Sequence, residues 1–85
     1  MINWCALRVG QGFQAHYHED PQEIFILLTG KAKIRVGDEE TELGRGEAVA
    51  VLPPLVHEMK NVGGEEAQYL VVGISQGKGG RTITV

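Results

Sequence analysis

Short apolar runs separated by glycine- and proline-marked breaks recur along the whole chain, and their spacing predicts strands rather than helices. Runs of five to seven residues rich in Val, Ile, Leu and Phe place strands at Trp4–Val9, Ala15–His18, Glu23–Thr29, Ala32–Val36, Glu40–Leu43, Ala48–Leu52, His57–Asn61, Ala67–Ile74 and Thr82–Val85. Thr29-Gly30-Lys31, Val36-Gly37-Asp38 and Gly63-Gly64 suit tight turns, and Pro53-Pro54 ends a ladder because proline has no N–H to donate. Nine short strands with such turns imply an all-β sandwich or barrel. Gln76-Gly77-Lys78-Gly79-Gly80 reads as a mobile loop before the last strand.

Two runs depart from strict alternation. Ile24-Phe25-Ile26-Leu27-Leu28 and Ala48-Val49-Ala50-Val51-Leu52 are apolar at both parities, so both faces need cover. One face lines an interior. The other is covered either by the chain's own terminal strands or by a second copy, and a homodimer is expected.

Composition narrows the possible functions. The 85 residues are 42% apolar and 22% charged, the balance of one small folded domain over 1–85 with a thin core. The net charge of −3, with Lys and Arg scattered, offers no basic stripe, so nucleic acid is not an expected partner. No apolar stretch approaches the roughly 20 residues that cross a bilayer, and Met1–Arg8 lacks the features of a signal peptide; no membrane association and a cytoplasmic location are expected. Cys5 is the one cysteine, so a metal site must use nitrogen and oxygen ligands.

Such a set is present. His16 and His18 are two residues apart, which on a strand puts both imidazoles on one face. Glu23 begins the next strand at the parity of Phe25 and Leu27, and a carboxylate heading an apolar face is costly unless paired or bound to a cation. His57 shares its face with Met59 and Asn61. Three imidazoles and one carboxylate suit one divalent transition metal (Mn, Fe, Co, Ni, Cu or Zn) better than Ca or Mg.

Gly10, His16, His18, Glu23 and Gly30 fall at the spacings of the first cupin motif, and Gly46, His57 and Asn61 at those of the second, so the chain resembles the cupins from Gly10 to Asn61. Leu52 stands where that family has a proline, and Pro54 where it has a glycine. The resemblance implies a double-stranded β-helix, or jelly-roll barrel, of two antiparallel sheets around a metal held by His16, His18, Glu23 and His57. Four ligands on a six-coordinate ion leave two positions open, and one carboxylate leaves a net charge of about +1, which favours a small chelating anion. Phe13, Phe25, Met59 and Tyr69 are candidate pocket residues, with Gln14 and Arg8 toward the mouth. No second buried acid or lysine is evident as a proton-transfer partner, which points away from decarboxylase and isomerase chemistry. The expected function is binding of, or dioxygenase-like action on, a small carboxylate. The alternatives are a non-catalytic metal-dependent binding or sensor module, and a sugar or sugar-phosphate isomerase-type cupin.

Overall fold

Alternation sets an inner and an outer face on each strand, and burial of the inner faces brings two sheets together. The computed structural model describes residues 1–75, 77 and 80–85. Among them the regular structure is entirely strand: β1 (Ile2–Leu7), β2 (Gly12–His18), β3 (Gln22–Thr29), β4 (Ala32–Val36), β5 (Glu39–Leu43), β6 (Ala48–Val51), β7 (His57–Asn61), β8 (Ala67–Ile74) and β9 (Thr82–Thr84). No helix long and apolar enough to cross a membrane occurs among these residues. One antiparallel sheet has the order β1-β8-β3-β6 and the other β5-β4-β7-β2-β9, a jelly-roll barrel.

The core lies between them. Leu7, Phe25, Leu27, Val51, Tyr69 and Val71 from the first sheet meet Ala32, Ile34, Leu43 and Met59 from the second, all nearly inaccessible to solvent. Asn61 closes one end. Its Nδ2 donates to Leu7 O at 2.9 Å and Glu65 O at 2.8 Å, while Gly63 N donates to its Oδ1 at 2.9 Å, so this buried amide is paired at both ends. Gly30 turns β3 into β4 at φ +84°, and a Cβ there would lie 3.0 Å from Ala67 Cα; conformation and space both demand glycine.

Several boundaries differ from expectation. β1 lies two residues earlier than Trp4–Val9, because Arg8 and Val9 enter a turn closed by Gln11 N to Arg8 O and Arg8 N to Gln11 Oε1, both 2.9 Å. Arg8 is exposed there. β2 begins at Gly12 rather than Ala15, and contains a bulge: Phe13 pairs with Met59 and His16 with His57, so β2 carries one extra residue. β6 ends at Val51, and the chain turns through a cis Pro53–Pro54 bond, with Leu55 N donating to Leu52 O at 3.0 Å. Gln76, Lys78 and Gly79 of the expected loop lie outside the described residues.

The terminal strands extend the sheets edgewise and do not cover the outer faces of β3 and β6. Register aligns Trp4, Leu70, Ile26 and Ala48 in one outer row, and Ile2, Val72, Ile24 and Ala50 in the next. Trp4 is 71% and Ile2 70% exposed. The terminal strands, one of the two sources of cover expected for this face, do not supply it.

Candidate metal centre

Three strands deliver the site. The two-residue repeat points His16 and His18 inward from β2, Glu23 lies near the start of β3, and His57 opens β7 opposite His16. The altered Leu52-Pro53-Pro54 turn leaves His57 in place, fully buried. One ligand atom from each of His16, His18, Glu23 and His57 lies within 4.8 Å of all the others. Ring centroids are 4.9 Å apart for His16 and His18, 4.4 Å for His16 and His57, and 5.4 Å for His18 and His57.

The outward nitrogens determine which atoms face the centre. His16 Nδ1 lies 2.7 Å from Gln14 O, His57 Nδ1 lies 3.1 Å from Leu55 O, and His18 Nδ1 lies 2.8 Å from Thr82 Oγ1. A carbonyl only accepts, so His16 and His57 carry a proton on Nδ1 and turn Nε2 inward. Nε2 of His18 lies 2.7 Å from Glu23 Oε1, and Nε2 of His57 lies 3.1 Å from the same oxygen.

Those contacts test whether a cation fits. The His18 contact is close, but its direction is wrong for a hydrogen bond, so this buried nitrogen is left without a hydrogen-bond partner. With Glu23 ionised, as its lowered pKa favours, His57 can satisfy both its contacts only as an imidazolium, or with a cation between Nε2 and Oε1. Ligand atoms about 2.1 Å from an ion lie roughly 3.0 Å apart when adjacent, close to both distances to Glu23. The donor set therefore fits a divalent transition metal.

Electrostatics agree with the geometry. Burial lowers the His18 pKa below its ordinary value; Glu23 opposes this, and the neighbouring imidazoles reinforce it. Burial pushes the Glu23 carboxyl up, but the His57 hydrogen bond and the charges of His18, His57 and His16 outweigh it, leaving the pKa below the ordinary value. Both shifts favour the deprotonated forms that bind metal.

Of the expected pocket residues, Phe13 and Phe25 lie against this cluster. Phe13 stacks on Phe25 at 5.8 Å and lies 5.2 Å from His16; Phe25 lies 5.6 Å from His57 and 6.0 Å from Tyr69. Met59 is buried opposite Phe13. Burial, the nearby Cys5 thiol and the Glu23 charge all raise the Tyr69 pKa, so its hydroxyl stays protonated beside Cys5. The bulge lets Phe13 share the inner side with His16, which strict alternation forbids. Gln14 is exposed, and it serves the site through its carbonyl.

Two residues escaped the sequence reading. Asp20 is 6% exposed and accepts a hydrogen bond from Ser75 Oγ at 2.6 Å. A second buried acid is therefore present, held against a residue 55 positions away along the chain. Thr82, the outer partner of His18, carried no sequence signal.

A family model described as Cupin domain matches residues 3–73. TT1209 from Thermus thermophilus has 32% identity and a TM-score of 0.81, over 85% of this chain and 69% of its own. A predicted oxalate decarboxylase from Thermotoga maritima has 21% identity and a TM-score of 0.84, over 88% of this chain and 65% of its own. An oxalate oxidase has 22% identity and a TM-score of 0.85, over 99% of this chain and 45% of its own. Curated protein sequences contain no match.

Proposed function

The chain belongs to the cupin family, and from that premise we propose that it holds one divalent transition-metal ion through His16, His18, Glu23 and His57 to bind a small chelating carboxylate. The convergence of these four ligands, with a buried and unpartnered His18 Nε2 among them, carries the reading. The ion would supply a Lewis acid with positions for two oxygen atoms. Glu23 offsets half of its charge, leaving about +1 to attract an anion. Buried Phe25 and Met59 and the partly buried Phe13 would exclude water and strengthen that attraction, while Tyr69 would contribute a protonated hydroxyl to the wall. Oxalate is the first ligand to test, because two fold relatives are named for it. Dioxygenase-like turnover of such a carboxylate is the first reaction to test.

Titration calorimetry with oxalate, 2-oxoglutarate, acetate and glucose tests this function. In the metal-loaded protein the two chelating acids should bind several-fold more tightly than acetate, with glucose negligible. Equal affinities, or binding that survives chelation of the metal, would overturn the reading. Oxygen uptake by iron-loaded protein with the tightest ligand separates turnover from binding alone.

The outer face of the β1-β8-β3-β6 sheet supports a homodimer as the assembly. Its two central rows contain no charged side chain, so they offer nothing to select a charged partner, whereas a twisted sheet face stacks on a copy of itself. Four strands about 4.8 Å apart and six residues at about 3.4 Å each span on the order of 400 Å² in plan. Side-chain relief raises the area two copies bury toward the roughly 1,200 Å² of small stable interfaces.

A further inference from the structure

The three imidazoles of the cluster are not held alike. Nδ1 of His16 and Nδ1 of His57 each meet a backbone carbonyl two residues earlier, at 2.7 Å and 3.1 Å. Nδ1 of His18 meets a side chain instead, the Thr82 hydroxyl at 2.8 Å, from 64 residues along the chain. Thr82 opens β9, and the antiparallel register sets it directly opposite His18. Glu19 N to Arg81 O and Val85 N to Ala15 O, both 3.1 Å, hold β9 against β2 at either end. Opposed residues project to the same face with Cβ atoms about 5 Å apart, so the hydroxyl reaches the ring with ordinary strand geometry.

Resting on the metal-binding reading above, we infer that Thr82 is a positioning residue for His18. Its oxygen accepts the Nδ1 proton and aims the Nε2 lone pair at the centre, where Glu23 Oε1 lies 2.7 Å away. A hydroxyl can also donate, so the same contact accommodates His18 with its proton on either nitrogen, a freedom that carbonyl-held His16 and His57 lack. With the proton on Nε2, the ring has no lone pair to offer a cation. With the proton on Nδ1, it offers a lone pair to a cation. The Thr82 contact thus holds the ring in place while leaving His18 able to take the metal-binding tautomer. Thr82 is exposed and contributes little to the core, so its hydroxyl is separable from the fold.

Zinc titration of the full chain, with Thr82→Val and Thr82→Ser, tests this. Outer partners of metal-bound histidines are worth about 10- to 100-fold in affinity, so Thr82→Val should bind zinc about tenfold or more weakly and Thr82→Ser should retain most of the affinity. In imidazole ¹H–¹⁵N spectra of the zinc form, the His18 Nδ1 proton should exchange slowly in the wild type and in Thr82→Ser, and be lost to solvent exchange in Thr82→Val. Unchanged zinc affinity in Thr82→Val overturns the role of Thr82 and leaves the metal site standing; no zinc binding by the wild type overturns both. Should Thr82→Val not fold, the wild-type spectrum decides, because rapid exchange of the His18 Nδ1 proton contradicts a held contact.

Discussion

Nε2 of His18 lies 2.7 Å from Glu23 Oε1 without a hydrogen bond between them, in a site where Nε2 of His57 approaches the same oxygen to 3.1 Å. Buried electron-rich atoms this close repel one another unless positive charge lies among them. On the proposed reading a divalent ion would supply that positive charge and engage all three atoms at once.

Metal should therefore stabilise the fold through Glu23. Ligand at 100 times its dissociation constant contributes about 2.7 kcal/mol, which for a domain of this size raises the melting temperature by roughly 10–20 °C. Thermal scans with and without zinc should show this rise in the wild type and its absence in Glu23→Gln. An equal rise in the variant would remove Glu23 from the ligand set.

Acid should weaken the metal-free protein in two stages. The folded pKa of His18 lies below its ordinary 6.5, so its contribution is complete above that value and falls as pH drops toward the folded pKa. The folded pKa of Glu23 lies below its ordinary 4.5, so its contribution is present above 4.5 and is lost on further acidification. Urea midpoints measured against pH should show both declines, and the second should be missing in Glu23→Gln.

Gly12 should resist substitution. A Cβ at this position would lie 2.5 Å from Met59 O and 3.2 Å from Lys60 Cα, both backbone atoms of β7. Gly12→Ala must push β2 away from β7 beside the bulge that seats Phe13 and His16, at a cost of about 1–3 kcal/mol. Denaturant unfolding measures the loss, and a change below a few tenths of a kcal/mol would contradict this packing.

Trp4 and Ile26 should govern assembly. They occupy one outer row on either side of Leu70, so Trp4→Glu or Ile26→Lys places a charge inside the proposed dimer face. Light scattering at micromolar concentration should give a dimer for the wild type and a monomer for each variant. A wild-type mass of 9.3 kDa would end the dimer proposal.

The convergence of His16, His18 and Glu23 was legible in the chain because strand geometry is local. A two-residue spacing puts His16 and His18 on one face wherever that strand lies, and the parity of Glu23 with Phe25 and Leu27 points its carboxylate inward for the same reason. The apolar runs likewise located the strands, since a residue's place in the pleat depends on its immediate neighbours. Local alternation failed where an extra residue entered the ladder: the bulge alone brings Phe13 and His16 to the same side. Only the tertiary structure determined that β1 and β9 lengthen the sheets instead of covering them, that Ser75 holds a buried Asp20, and that Thr82 stands behind His18. Those partners are 55 and 64 residues apart in sequence, and no local periodicity encodes them. They meet because burying the inner faces of two sheets fixes the strand order, and strand order brings distant side chains together.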